Sequence, residues 1–277
     1  TQRKTLAWED VNTQVLQWMP IKIANVNWFS TYHVHHRVAD HFRIGRAFLL
    51  GDAAHVHSPV GGQGMNTGIG DAINLAWKLA WVLQGRANES ILETYEPERI
   101  AFARRLVKTT DQGFTAVTSS RSIARFLRLH VVPIVLPWLF SFKPMLRLLY
   151  RTVSQTNVNY RGSALSEGQA GSIHAGDRLP WVKLDESDNF APLTALNWQV
   201  HVYGEATDHL KTICSDRALP LHVFPWQTAM DHAGLHRNAV YLVRPDGYIG
   251  FVGSPSAAGT VASYLDARRI SAAPSRL

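Results

Sequence analysis

The feature that most constrains this fold is an apolar run that ends in a glycine-rich loop and leads into a helical pattern. Ala47 to Leu50 is apolar and stops at Gly51-Asp52, which predicts a buried strand delivering a loop. The loop, HVHSPVGGQGMNTG, is rich in Gly, Pro and Ser. From Asp71 to Leu83 apolar residues recur at helical spacing. Strand, glycine loop and helix in this order bring backbone atoms close to a ligand.

The residue types in this segment suit a ligand with hydroxyl groups and a flat or anionic part. Asp52 carries a carboxylate that accepts hydrogen bonds at a fixed position, as sugar-type hydroxyls require. Five glycines between Gly61 and Gly70 exceed what a simple connecting turn needs, and they let N–H groups approach a ligand. The helix beginning near Met65 directs its positive end toward that ligand.

Flanking segments predict a mixture of strands and helices. Residues 21–42 are rich in β-branched and aromatic types, which predicts one or two strands. Ser90 and Glu93 have the spacing of a capping box and predict a helix start, with a break at Pro97. Further predicted helices run from the break to about Val117, from Ser122 to about His130, and from Pro144 to Tyr150. Residues 152–180 have little periodicity and predict a surface linker.

The last hundred residues predict a separate arrangement of elements. Strands are expected at 198–203 and 221–224, a helix at 206–215, a hairpin of 239–243 with 248–252, and a final helix at 258–268. This is the element order of a thioredoxin-like domain. Cys214 is the only cysteine, so it forms no redox pair, and its place in a helix body predicts a structural role.

The segments GDAAH (51–55) and SPVGGQGMNTG (58–68) resemble those of the FAD-dependent aromatic-ring hydroxylases, the single-component flavoprotein monooxygenases. The resemblance covers most of the chain and favours the phenol hydroxylase branch, whose members have a thioredoxin-like tail. It implies a mixed α/β fold with four parts: 1–44, the end of a substrate-domain sheet; 45–151, the C-terminal part of an FAD-binding domain; 152–180, a linker; and 181–277, the thioredoxin-like domain.

The resemblance also implies roles for particular residues. Gly51 and Asp52 would contact the FAD ribityl chain, and the helix from Met65 would face the flavin N1 and C2 carbonyl edge. The implied flavin-ring contacts are Pro59, Gly61, Gly62, Gln63, Gly64, Met65 and Asn66. Tyr32, His33 and His35 are candidates for the substrate pocket, although alternation leaves open which face looks inward. A metal site at these histidines is disfavoured because no acidic or cysteine ligand accompanies them.

The implied reaction is reduction of FAD by NADH or NADPH, formation of a flavin C4a-hydroperoxide with O₂, and hydroxylation of a phenolic or related aromatic substrate. The sequence departs from the family pattern in one respect, because no GxGxxG turn follows a strand. We therefore expect that an N-terminal ADP-binding segment lies before Thr1 and that the isolated chain is inactive. A homodimer remains open, as does a second hypothesis: a non-catalytic fragment or interaction module that binds no flavin.

Composition excludes several other classes. The net charge of +7 is scattered rather than clustered, and no nucleic-acid-binding module is recognisable. The most apolar run, 131–142, is shorter than the roughly 20 residues that span a bilayer, which predicts no transmembrane helix. The single cysteine and the polar N-terminus, which lacks a secretory signal, favour the cytoplasm. A basic and apolar region around 126–150 suits a surface covered by another domain or subunit better than one lying on a membrane.

Overall fold

The computed structural model describes residues 8–10, 23–31, 34–57, 62–119, 121–184 and 187–272. The chain forms two compact units, Thr1–His35 and His36–Leu277. In the first unit, Trp8–Asp10 is a 3₁₀ turn, and the rings of Trp8 and Phe29 meet edge to face with centroids 6.1 Å apart. Residues 23–31 form no strand and are exposed. The prediction of strands over 21–42 is therefore wrong for the described part of that range, apart from the two residues Arg37–Val38 of the second unit. Among the described residues, no strand pairs with residues 23–31 and covers one of their faces.

The second unit begins with four two-residue strands. β1 (Arg37–Val38) pairs antiparallel with β4 (His55–Val56), and β2 (Arg43–Ile44) pairs antiparallel with β3 (Ala47–Phe48). The predicted buried strand at 47–50 is wrong in length and burial, since Leu49 and Leu50 are each 39% exposed. Among the described residues β3 has only its hairpin partner, so its sides are not covered by further strands.

Two long helices follow the glycine-rich loop. α1 (Gly64–Leu83) confirms the predicted helix, and α2 (Tyr95–Thr118) follows a 3₁₀ turn at Glu89–Thr94. The predicted capping box at Ser90 is wrong: the Asn88 side chain accepts the hydrogen bond from the Ser90 N–H. Pro97 does not break the helix, because it lies in the first turn of α2, where a missing N–H removes no helical hydrogen bond.

The next helices form a continuous apolar stretch. α3 (Ser122–Phe126), a π turn (Leu127–Val131) and α4 (Val132–Phe140) join without a gap, and α5 is Lys143–Val153. Helix therefore continues past His130, where it was expected to end. The 19 residues Ser122–Phe140 are long and apolar enough to cross a membrane by length and composition, so the apolar helix is longer than the run 131–142 indicated, and the absence of a transmembrane helix stays a prediction. One such helix, with none of its apolar window buried, does not by itself assign the chain to a membrane.

The C-terminal part centres on a four-stranded sheet. A small hairpin of β5 (Gln169–Ala170) and β6 (Ile173–His174) precedes it. The sheet strands are β7 (Gln199–Tyr203), β8 (Leu221–Phe224), β9 (Val240–Val243) and β10 (Ile249–Gly253), in the order β10-β9-β7-β8. β7 is parallel to β8 and antiparallel to β9. The helices are α6 (Asp208–Asp216), α7 (Thr228–His232) and α8 (Ala258–Ala267).

These elements match the predicted order of strand, helix, strand, hairpin and helix, with the short α7 added. All five residues of β7 are buried, as expected for a central strand covered on both faces. The thioredoxin-like assignment and the domain boundaries stay predictions. Residues 152–180 do more than link, because Val158, Tyr160, Leu165 and Ile173 are buried in the protein core.

A buried ionic cluster joins α1 and α2 to the β9–β10 hairpin. The Glu98 carboxylate accepts hydrogen bonds from Lys78 Nζ at 2.8 Å and from both terminal nitrogens of Arg244 at 2.8 and 3.0 Å. Arg244 also pairs with Asp246, which accepts a hydrogen bond from Trp77 Nε1. Burial lowers the pKa of Lys78 to about 8, partly opposed by Glu98. Burial also disfavours the Glu98 anion, but Arg244 and Lys78 outweigh it and hold the pKa of Glu98 well below its usual range.

His201 gives the sheet a specific sensitivity to acid. Its side chain is buried beside His222, and burial, reinforced by His222, lowers the pKa of His201 to about 3. Because the folded protein binds fewer protons than the unfolded chain between the two pKa values, stability falls as pH drops below about 6.5 and levels off near the folded pKa.

We predict that His201→Phe removes this dependence. Between about pH 7 and about pH 4 the free energy of unfolding should fall by about 3 kcal/mol less in the variant than in the original chain. Urea unfolding at the two pH values measures the difference, with His209→Gln, an exposed histidine on α6, as the control. Equal acid sensitivity in His201→Phe and the original chain would contradict the assignment.

Candidate functional site

The loop carrying Asp52 is a single 3₁₀ turn, Gly51–Ala53, packed against α1. Gly51 has φ +57°, a left-handed conformation that favours glycine. A Cβ added at Gly68 would meet the Gly51 Cα at 3.3 Å, tighter than ordinary van der Waals contact. Glycines at both positions therefore let the turn approach the helix, which fixes the backbone on either side of Asp52.

Asp71 anchors this turn from the buried face of α1. Its Oδ2 accepts hydrogen bonds from the Gly51 N–H at 3.0 Å and lies 2.7 Å from His55 Nε2. Its Oδ1 accepts a hydrogen bond from Arg99 Nε at 2.6 Å. Burial disfavours the Asp71 anion, but His55 and Arg99 outweigh it and lower its pKa. The carboxylate is thus held ionised at the centre of the loop's support.

Arg99 extends the support to the first turns of α1. Its guanidinium is buried and donates to the Thr67 carbonyl at 3.1 Å and to the Tyr160 hydroxyl at 3.0 Å. Burial disfavours the cation, but the neighbouring Tyr160 and Asp71 outweigh it and raise the pKa of Arg99. One side chain therefore ties α2, the start of α1 and residue 160 together.

In the part of the chain that the structure describes, no side chain caps the N-terminus of α1, which suits it to an anionic or carbonyl-bearing ligand. Gly62 has φ +61°, and Gln63, at the N-cap position, provides no side-chain cap. The first turn contains no acidic residue. The first N–H groups of a helix lack intrahelical partners and carry partial positive charge. Backbone N–H groups and the positive helix end are therefore available beside the Asp52 turn.

The structure brings several predicted contact residues to this region. Asp52, Met65 and Asn66 are exposed, and Gln63 and Gly64 are half-buried at the helix start. The predicted contacts Pro59 and Gly61 lie outside the described residues, as do Tyr32 and His33. His35 is exposed in the first unit. The roles of all these residues stay predictions.

Sequence reasoning missed the residues that support the loop. Thr67, Asp71, Asn74 and Lys78 are all buried, and their spacing places them on one face of α1. A polar stripe on the buried side of an apolar helix was the available signal, and it predicts charged partners on a neighbouring helix. Those partners are the adjacent residues Glu98 and Arg99. The described residues contain no group of three His, Cys, Asp or Glu side chains that could hold a metal ion.

Comparison with known proteins finds relatives among flavin-dependent monooxygenases. Residues 1–110 match the family model described as FAD binding domain. The chain is 32% identical to the 6-methylpretetramide 4-monooxygenase of Streptomyces rimosus, over 90% of this chain and 49% of that protein. It is 33% identical to a flavin-dependent monooxygenase of Mycobacteroides abscessus, over 88% of this chain and 45% of that protein.

A solved structure shares the fold over nearly the whole chain. CabE, an aromatic hydroxylase from angucycline biosynthesis, superposes with a TM-score of 0.73 at 28% identity, over 99% of this chain and 55% of that one. The match to the FAD-binding family model ends at Thr110. The chain as a whole is similar to FAD-dependent aromatic hydroxylases, and the mixed α/β fold is confirmed. It spans about half the length of the curated relatives it matches.

We predict that Asp71→Ala unfolds at markedly lower urea concentration than the original chain. The substitution leaves the buried Arg99 without its carboxylate and the Gly51 N–H without its acceptor. The free energy of unfolding should therefore fall by about 3–5 kcal/mol. Hydrogen exchange at Gly51 should also accelerate. Asp208→Ala, which removes an exposed ion pair with Lys211, is the control and should change little. A loss no larger than the control's would show that Asp71 does not support the loop.

Proposed function

We propose that this chain is the flavin-ring portion of an FAD-dependent monooxygenase that hydroxylates a phenolic or related aromatic substrate with NADH or NADPH and O₂. The observation that carries the proposal is the exposed Asp52 on a turn fixed by Asp71, beside an uncapped helix N-terminus free of acidic residues. The similarity to named monooxygenases and to an aromatic hydroxylase supports the reaction class.

The residues present fit FAD. The Asp52 carboxylate would accept hydrogen bonds from ribityl hydroxyls, and Gly51 would leave room for the chain. Gly62, Gln63, Gly64, Met65 and Asn66, with Pro59 and Gly61, would lie along the flavin ring. No acidic side chain in the first turn of α1 would repel a ring that gains negative charge.

FAD, when bound, supplies the redox and oxygen chemistry. The protein residues bind and orient. The helix N-terminus would stabilise negative charge on the bound flavin, and the Asp71–Arg99 pair keeps the turn that carries Asp52 in one conformation. Tyr32, His33 and His35 would contact the aromatic substrate. Because Cys214 is a buried free thiol whose pKa burial raises to about 11, it takes no part in the chemistry, and a reducing cytoplasm suits it.

A further ADP-binding unit, outside residues 1–277, would complete the site. Two observations support this part of the proposal: no GxGxxG turn follows a strand in the sequence, and the chain spans about half of its relatives. The outer face of α1 also presents an exposed apolar stripe that such a unit would cover, formed by Met65, Ile69, Ile73 and Leu83. A thioredoxin-like domain at 181–277, lacking redox cysteines, would follow the flavin portion.

We expect the 277-residue chain to bind FAD and FMN saturably and with similar affinity, because the adenine half finds no binding unit. Asp52→Ala should raise both dissociation constants at least about tenfold, the effect of losing a hydrogen bond to a charged group. Flavin fluorescence and absorbance titrations measure this. Asp216→Ala, an exposed aspartate at the end of α6, is the matched control.

The outcomes separate the two hypotheses. Saturable binding lost in Asp52→Ala alone supports the flavin role. No saturable binding of either flavin would favour the interaction module that binds no flavin. Binding unchanged in Asp52→Ala would refute the role assigned to this carboxylate.

We also predict that the isolated chain shows no substrate-stimulated oxidation of NADH or NADPH. The expected cause is the missing ADP-binding unit: even when FAD saturates the isolated chain, the site lacks the part that would orient FAD and shield it from water. Absorbance of the nicotinamide at saturating FAD, with and without a panel of phenols, provides the measurement. A rate that rises with a phenol would contradict the need for a further unit.

A further inference from the structure

A cavity of about 420 Å³ lies between α2 and the segment that follows α5. Its apolar wall contains Phe102 and Leu106 of α2, together with Val158 and Tyr160. A volume of this size accommodates a small organic molecule. Flat apolar walls with an aromatic ring suit an aromatic group.

The charges around this cavity are unbalanced in favour of cations. Among the described residues that line it, Glu98 is the only acidic one, and it is already neutralised by Lys78 and Arg244. Arg161 pairs with Asp177 through two hydrogen bonds.

Two other arginines line the same cavity. Arg105 extends from α2 and Arg151 from α5, and both are exposed. Within the described part of the chain neither forms an ion pair. Guanidinium groups bind carboxylates through paired N–H donors, so a carboxylate on the ligand would find its partners here.

We propose that this cavity is a binding site for an aromatic carboxylate, with its ring against Phe102 and Leu106 and its carboxylate at Arg105 and Arg151. Binding requires no flavin, so the inference goes beyond the proposed oxygenation and is tested without it.

The same cavity touches the start of α1. Gln155 lines it, and its Nε2 donates to the Gln63 carbonyl at 3.2 Å and to Thr67 Oγ1 at 2.8 Å. The backbone of Gln155 has φ +56°, a left-handed conformation that residues other than glycine rarely adopt. Contacts with the surrounding residues therefore hold Gln155 in this conformation. A ligand that contacts Gln155 and Gln63 therefore stabilises the first turn of α1, the turn assigned to the flavin.

Calorimetric titration of the purified 277-residue chain with 1-naphthoate tests the site, and neutral 1-naphthalenemethanol tests the need for the carboxylate. We expect saturable binding of 1-naphthoate and at least about tenfold weaker binding of the alcohol, the loss of one charge-assisted interaction. The double variant Arg105→Gln/Arg151→Gln should lose at least about tenfold in affinity for 1-naphthoate while binding the alcohol as before.

The matched control is Arg104→Gln/Arg147→Gln, which removes two neighbouring charges from the same helices outside the cavity lining and should leave the affinity unchanged. Ala101→Trp, which fills the cavity from its rim, should abolish binding of both compounds. Circular dichroism and thermal unfolding verify that each variant is folded.

Hydrogen exchange provides a second readout. With 1-naphthoate bound, the amides at the start of α1 should exchange more slowly, and Gln155→Ala should remove this protection. No saturable binding, equal affinity for acid and alcohol, or equal loss in the control double variant would each overturn the proposal. Binding that survives Ala101→Trp would overturn it as well, because the ligand would then lie on another surface.

Discussion

The rest of the structure depends on a buried charged seam between α1 and α2. Two adjacent residues of α2, Glu98 and Arg99, carry opposite charges and reach different positions on the polar face of α1. Arg99 meets Asp71 under the Asp52 turn, whereas Glu98 meets Lys78 and continues to Arg244 in the C-terminal hairpin. Replacing one member of such a seam leaves a buried charge without compensation, while the pairs themselves add little stability over apolar packing. The seam is therefore best understood as fixing one alignment of the helices.

That alignment connects the candidate site to the C-terminal sheet. Asp71 holds the Gly51 N–H, and two helical turns further along α1 Lys78 belongs to the cluster that contains Arg244. A shift of α1 along its axis would break both sets of contacts together. The exposed Asp52 is thus presented by a loop whose support is buried and ionic, an arrangement that keeps a binding group in position without covering it.

Local sequence signals predicted most helices and strands correctly. The features that they missed depend on contacts between residues far apart in the sequence. α1 and the strands and helices after residue 198 follow from periodicity and turn residues, which act within a few positions. The strands over 21–42 failed because alternation was read without knowing whether another strand would cover a face. The capping box at Ser90 failed because Asn88, two residues earlier, provides the cap of the 3₁₀ turn Glu89–Thr94. Nothing local identifies Arg244 as the partner of Glu98, since 146 positions separate them.

Exposed apolar surface is concentrated on two parts of the described structure, one stripe of α1 and the helices of 122–153. The buried side of α1 combines the seam with the core residues Leu75, Trp77 and Trp81, while the stripe that includes Met65 and Leu83 is exposed, at 75% and 81% for these two residues. Burying apolar surface is the main favourable term in folding, so an exposed apolar stripe on a helix that is otherwise packed indicates a further contact surface. The same holds at 122–153, where apolar side chains and arginines face outward together. The stripe on α1 lies on a helix whose buried side the seam already fixes, so a covering domain or subunit would meet a preorganised surface there rather than one it has to shape.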